Sequence, residues 1–403
     1  MFLTEEKQSH YQKLIVAAYF LAMICLGFAG SVFGPILNQL SEVTGTTAAQ
    51  ISLIFVMVGA GFVLSSLTFC RLFDKCAGHK LISVGLVILI ICLYLLEKVT
   101  SLGQLLILAG CIGIGNSFID IGCNTLLPWL LKEKAGTAFN YLHVCYAFGC
   151  FVTPTLISRA FQNSDSYKQV LTYLSIAILP VAILFFFLPS PQIVKTIENK
   201  SQEEKGRLPH SFLVISTIFA LIFFLVIGAQ ASFNSWISHA TLVIGLTDES
   251  GAAFFSSILW AGVLLGRIAG ALVSRKLSPE TISIWGLIIS GAANLSLFLL
   301  RGSQVGFGIS TFCIGFGMGP LFANLLLALK KKFVLSGKMN GFMFAANQIG
   351  SMLIPWIIGQ TFSSGSIRPF MLITALCLIV TFALFTGIEK KYTGSVQRVS
   401  EEK

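Results

Sequence analysis

Charge is what this chain most lacks. Only 11% of its 403 residues are Asp, Glu, Lys or Arg, against about 25% in a soluble globular domain. So little charge cannot cover a water-facing globule of this size, which excludes an ordinary cytosolic enzyme. The sequence also lacks a long polar domain at either end, a Walker motif, a metal-ligand set and any nucleophile–base spacing. Nothing in it points to catalysis or to a bound cofactor. Apolar residues are abundant instead: 55% are hydrophobic, with 35 Phe and 37 Gly, and the mean hydropathy is +0.85. Such a composition suits helices that pack on lipid and on one another.

A membrane helix needs about 20 mostly apolar residues. Twelve such spans are predicted, near 14–37, 51–69, 81–96, 104–128, 139–158, 169–188, 212–236, 252–273, 282–299, 303–328, 341–361 and 369–386. The runs are long and continuously apolar, so they do not read as barrel strands. The first is too long for a cleaved leader and has no cleavage site followed by a soluble domain.

Loop charge sets the expected orientation. With the N-terminus in the cytoplasm, 21 of the 27 Lys and Arg fall in inside loops and tails and five outside, with Arg267 inside a span. Both termini are then cytoplasmic, in a cell (inner or plasma) membrane. The net charge of +10 is a topology signal and implies no nucleic-acid partner. All ten cysteines lie in spans or in the loop with Cys70 and Cys76. No disulfide is expected, and nothing beside that pair completes a four-ligand metal set.

The chain also repeats itself. Its longest polar stretch, 190–210, lies at the midpoint, and the two sides match at an offset of about 201. Ala60-Gly61 with Leu64 matches Ala261-Gly262 with Leu265. The run Cys111 to Gly115 matches Cys313 to Gly317, and Gly149 with Pro154 matches Gly350 with Pro355. The expected organisation is a six-helix bundle at 1–189, a linker at 190–210 and a second, pseudo-symmetric six-helix bundle at 211–403. Parallel six-helix repeats of this kind are the layout of major facilitator transporters, with the substrate site at mid-membrane between the halves. The loop after span 2, with Arg71, Asp74, Lys75 and Gly78, resembles that superfamily's G-x-L-x-D-R-x-G-R-R motif. It departs at Cys70 and by one extra residue before Gly78. The resemblance implies that this loop biases the inward–outward equilibrium.

Of 17 acidic residues, only Asp120 lies deep within a span. An ionised Asp at the bilayer centre costs ~2.5–3.5 kcal/mol on insertion scales. Such a residue faces a cavity or a partner, and it is the expected proton carrier. Asn124 follows one turn later on the same face. His143 and Tyr146 open span 5 across a short loop; His143 reads equally as a proton site beside Asp120 or as an interhelical hydrogen bonder. The second half offers amides and indoles: Gln230, Asn234, Trp236, Trp260, Asn324, Asn347 and Gln348. Amides that donate and accept, beside flat aromatic faces, are what a polyhydroxyl ligand needs. A site for anions would want a deep cation, and only Arg267 is available; a salt bridge or helix-end role is its plainer reading.

Three segments carry a closer likeness. Ile119 to Asn124 (IDIGCN) resembles the L-E-T-A-A-N segment of fucose:proton symporters and the L-D-x-G-x-N segment of animal sodium-dependent glucose transporters. Asn140-Tyr141-Leu142-His143 through Phe148-Gly149 to Pro154 resembles the N-x-L-H-x-x-F-x-x-G-x-x-x-x-P stretch of the same proteins. Gly228 to Ile237 resembles their Y-V-G-A-E-x-x-x-G-G-W-I, with Gln230 where they carry Glu. The resemblance implies the twelve-helix major facilitator fold and sugar uptake coupled to a proton, or alternatively to sodium. It also implies Asp120 as the family acid of span 4 and Trp236 as a sugar-side indole, with a monomer sufficient. Gln230, and Ser31 where fucose permeases place an acid, leave an uncoupled facilitator open. A drug or metabolite exporter of the same fold is the other alternative, with a receptor or lipid scramblase behind it.

Overall fold

The computed structural model describes residues 5–73, 76–132, 135–163, 166–191, 210–332, 337–362 and 366–401. Twelve helical spans are long and apolar enough to cross a membrane: Tyr11–Thr44, Ala48–Leu67, Gly78–Leu96, Leu102–Leu131, Ala138–Gln162, Tyr167–Phe187, Ser216–Val243, Glu249–Val273, Pro279–Leu299, Gln304–Leu329, Phe342–Thr361 and Arg368–Lys390. They are numbered span 1 to span 12. An even number of crossings brings the chain back to the side where it began. That side is called the terminal end here, and the opposite side the far end.

The sequence repeat becomes a packing repeat. Span 1 packs on span 5, 2 on 4, 3 on 4 and 3 on 6; the second half repeats these pairs as 7 on 11, 8 on 10, 9 on 10 and 9 on 12. Spans 2 and 4 approach so closely that a Cβ on Gly61 would collide with the Gly110 carbonyl. Gly262 meets the Phe312 carbonyl in the same way between spans 8 and 10. In lipid, helices gain little from burying apolar surface, so close approach over small residues provides the contact. The first hairpin of each half also repeats. Span 1 is followed by Gly45 and span 7 by Gly245, with φ of 63° and 64°. The next backbone N–H returns to Ser41 in one half and Thr241 in the other, at 2.9 and 3.0 Å. This is the left-handed helix stop that glycine adopts without a Cβ penalty.

Three spans are built of two helices: span 2 breaks at Ser52 after its first turn, between Ala48–Ile51 and Leu53–Phe73, and two more break further in. The span 1 helix stops at Gly30 and resumes at Phe33. Pro35 has no N–H for the Ser31 carbonyl and its ring crowds that carbonyl. Span 10 stops at Met318 and resumes at Leu321, beside Pro320. Span 1 also runs on to Thr44, several residues past its predicted end, because Phe33 to Leu40 form a buried stretch within the protein. At the terminal end, His79 is fully buried where span 3 begins. It meets the Tyr19 hydroxyl of span 1 at 2.8 Å and the Leu188 carbonyl after span 6 at 3.2 Å.

The halves meet along four span pairs: 5 with 8, 2 with 11, 1 with 7, and 1 with 8. Most of their hydrogen bonds lie toward the far end. Gln360 donates to the Ala49 carbonyl and the Ser52 hydroxyl at 3.0 and 3.1 Å. Ser250 donates to the Ser158 carbonyl at 3.0 Å, Thr155 to Ser257 at 3.0 Å, and His239 Nδ1 lies 2.5 Å from the Asn38 amide oxygen. The far end is therefore the closed end in this structure.

Candidate functional site

Asp120 and Asn124 stand one helical turn apart in span 4. The Asn124 amide donates to the Asp120 carboxylate at 2.7 Å and to its carbonyl at 2.9 Å. This leaves the buried Asn124 Oδ1 without a partner. One turn earlier, Asn116 Oδ1 is likewise buried and unpartnered. Asn116, Asp120 and Asn124 form a polar stripe at a spacing of four. The motif comparison missed Asn116 because it began at Ile119; the four-residue spacing was the available signal.

Span 5, which packs on span 4, carries Tyr146. Its ring meets Trp260 of span 8 edge to face, at 5.7 Å. Trp260 Nε1 donates to Asn234 Oδ1 at 2.7 Å, and Asn234 Nδ2 donates to the Gly30 carbonyl at 3.0 Å. The break in span 1 sits immediately beyond Gly30. Tyr146, Trp260, Asn234 and Gly30 thus form one chain across spans 5, 8, 7 and 1, and it crosses between the halves twice. His143 lies one turn toward the terminal end. Its backbone carbonyl accepts from Arg267, its ring packs on Phe139 at 4.9 Å, and its buried Nε2 has no partner. The Arg267 guanidinium also lies 5.9 Å from the Tyr146 ring centroid.

The other expected site residues lie elsewhere. Trp236 is fully buried toward the far end. It stacks on Phe362 at 4.7 Å, meets Phe55 and His239 edge to face, and donates to the Pro355 carbonyl at 2.8 Å. Asn324 donates to the carbonyl of Pro320, in the span 10 break just before its own helix, at 2.8 Å. Gln230 is half-buried one turn before Asn234. Asn347 and Gln348 are half-buried in the terminal half of span 11, and Asn347 Oδ1 is unpartnered. Gly78 is buried at the start of span 3. Asp74, Lys75 and the Arg71 side chain lie outside the described residues. Among the described residues no His, Cys, Asp and Glu group has a metal-site arrangement.

What these groups offer is hydrogen bonding between two rigid halves. The free acceptors Asn116 Oδ1, Asn124 Oδ1 and Asn347 Oδ1 await hydroxyl or N–H donors or water, and the Tyr146 and Trp260 rings supply aromatic surface.

Residues 19–355 match the family model for the Major Facilitator Superfamily. A mouse protein, sodium-dependent glucose transporter 1A, is 25% identical over 95% of this chain and 98% of its own length. Among solved structures, a bacterial homolog of the human lysosomal transporter Spinster superposes with a TM-score of 0.73 at 13% identity, covering 95% of this chain and 98% of the other. A mutant of the nucleoside transporter NupG gives a TM-score of 0.70 at 15% identity, covering 93% and 98%. These two likenesses concern the fold.

Proposed function

This chain belongs to the Major Facilitator Superfamily, and on that premise we propose that it is a sugar transporter working by alternating access, with a proton as the coupling ion and Asp120 as its carrier. Membership makes it a multi-pass membrane transporter of a small molecule and not an enzyme. The sugar assignment is supported by a near-full-length relative named for sodium-dependent glucose transport, and by unpartnered amide oxygens beside aromatic rings.

The observation that carries the coupling reading is the Asp120 environment. It is the single acid deep in a span, and it shares a face with Asn116 and Asn124. A carboxyl in a low-dielectric site favours its neutral form. Loading a proton before the site occludes removes the cost of carrying a bare charge through the closed state. Asn124 holds the carboxylate in place, and the unpartnered His143 Nε2 in span 5 is the group proposed for proton exit.

The linker and both termini face the cytoplasm in this reading, supported by the loop bias of 21 basic residues against five. A single chain carries both halves, so a monomer suffices. Uptake of radiolabelled hexose into proteoliposomes, with and without a pH or sodium gradient, tests the function. Accumulation driven by an inward proton gradient is expected. Accumulation driven by sodium alone would replace the ion, and equilibration without accumulation would make the protein a facilitator.

A further inference from the structure

Arg267 is the group that this reading leaves unused. Its guanidinium lies where spans 5 and 8 join the two halves. It donates to the His143 carbonyl and packs toward the Tyr146 ring. Among the described residues no carboxylate pairs with it. The one acid deep in a span, Asp120, is held by Asn124. A guanidinium stays protonated in proteins and carries five N–H donors. One carbonyl and one ring face neither use all of these nor cancel the charge, and a cation held in a low-dielectric interior without a counter-charge is costly. It lies at the contact between the halves, where spans 5 and 8 meet.

Charge balance turns this observation into a substrate class. In the empty state, ionised Asp120 and cationic Arg267, the charged pair that the sequence places inside the spans, sum to zero. With a proton on Asp120 and a neutral sugar bound, the site would carry one uncompensated positive charge through the occluded state. With a proton on Asp120 and a substrate bearing one carboxylate, the sum is zero again. Electroneutrality of both reorienting states therefore favours a monoanionic substrate. We infer that the preferred substrate is a sugar acid, its carboxylate paired with Arg267 and its hydroxyls with the amides of span 4, carried together with one proton in an electroneutral cycle. The inference rests on the transporter reading above with Asp120 as carrier. An Arg–carboxylate pair is planar and bidentate, and the rigid helix of span 8 fixes its direction.

The test uses the full-length protein in proteoliposomes, with D-glucose, D-glucuronate and lactate as probes. Glucose and glucuronate share a ring and differ at one carboxylate, while lactate has the carboxylate without the ring. Glucuronate should bind roughly ten- to a hundredfold more tightly than glucose, the range of a charged hydrogen-bonded pair. Its uptake should follow the pH gradient and stay flat when the membrane potential is clamped at different values. Arg267→Gln should bring the glucuronate-to-glucose affinity ratio close to one, and Arg267→Lys should restore part of it. Thermal unfolding in detergent separates these effects from misfolding. Equal or tighter binding of glucose, with a ratio that Arg267→Gln does not move, overturns the sugar-acid inference but leaves the sugar reading standing. Lactate binding that depends on Arg267, with neither sugar bound, overturns the sugar reading and keeps the anion site. Binding of none of the three overturns both.

Discussion

Trp260 donates to the Asn234 amide oxygen at 2.7 Å while the Asn234 amide nitrogen donates to the Gly30 carbonyl at 3.0 Å. One side chain thus ties span 8 of its own half to span 1 of the other. In a rocking transporter this tie belongs to one conformation, because opening the far end must separate Gly30 from Asn234. Asn234→Leu removes both bonds without removing much volume. Each bond contributes on the order of 1 kcal/mol, so the equilibrium should shift several-fold or more toward far-end opening. Labelling a cysteine placed at Ser250, buried at that end, from the far side should then be several-fold faster than in the parent. An unchanged labelling rate would mean that the tie does not limit opening.

Trp236 sits where aromatic side chains from both halves close the far end, with Phe55 from span 2 and Phe362 beyond span 11. Trp236→Ala leaves a large cavity and an unpaired Pro355 carbonyl. A cost of about 3–5 kcal/mol is expected for losing a buried Trp, read as a clear fall in the thermal unfolding midpoint in detergent. Trp236→Phe keeps most of the packing and loses the hydrogen bond, and should lie between the two. The sequence motif implied a sugar-side indole here. If that role dominates in another state, Trp236→Phe will lower sugar affinity while leaving the melting midpoint near the parent value.

The repeat makes a paired prediction. Gly61 and Gly262 hold equivalent close approaches, to Gly110 and to Phe312. Gly61→Val and Gly262→Val should each force the helices apart and cost about 1–3 kcal/mol, as overpacking does. Similar losses of folded yield are expected for the two. A large loss in one and none in the other would show that the halves do not share this contact.

The fold was legible because its causes are local or periodic. Hydropathy marks a span wherever it occurs, and Gly61 with Gly262 advertises the repeat by simple letter identity. Asp120 and Asn124 were legible for the same reason, since a spacing of four on a helix fixes a shared face before any tertiary contact is known. The inter-half contacts were not legible. Nothing about Asn234 in the sequence says that both edges of its amide are taken, or that Gly30 frees a carbonyl for it beside the span 1 break. Trp236 likewise reads as an indole in a span, and only packing against Phe362 and Phe55 puts it in a closed aromatic cluster. Arg267 looked like a helix-end residue by its distance from the end of span 8, and span 5 turned it into an interface group.

The last prediction concerns Asp120. Asp120→Asn has nearly the same volume and can still hydrogen-bond Asn124, although the Asn124 amide must then donate to a neutral oxygen. It imitates the loaded carboxyl and cannot release a proton. If Asp120 carries the coupling proton, the variant should still bind substrate and exchange labelled substrate across the membrane, since both occluded states are reached without proton movement. It should lose accumulation against a concentration gradient, because no proton gradient can enter its cycle. The pH dependence of counterflow should flatten in the variant. Two measurements on the same proteoliposomes separate the possibilities: counterflow at equal pH on both sides, and net uptake under an imposed pH gradient. Preserved counterflow with abolished accumulation fits a proton carrier. Loss of both would assign Asp120 to substrate binding or to the structure of span 4, and Asn124→Ala would then reproduce it by releasing the carboxylate from its 2.7 Å bond. Full retention of both would make Asp120 a buried hydrogen-bonding partner in a protein that moves its substrate downhill.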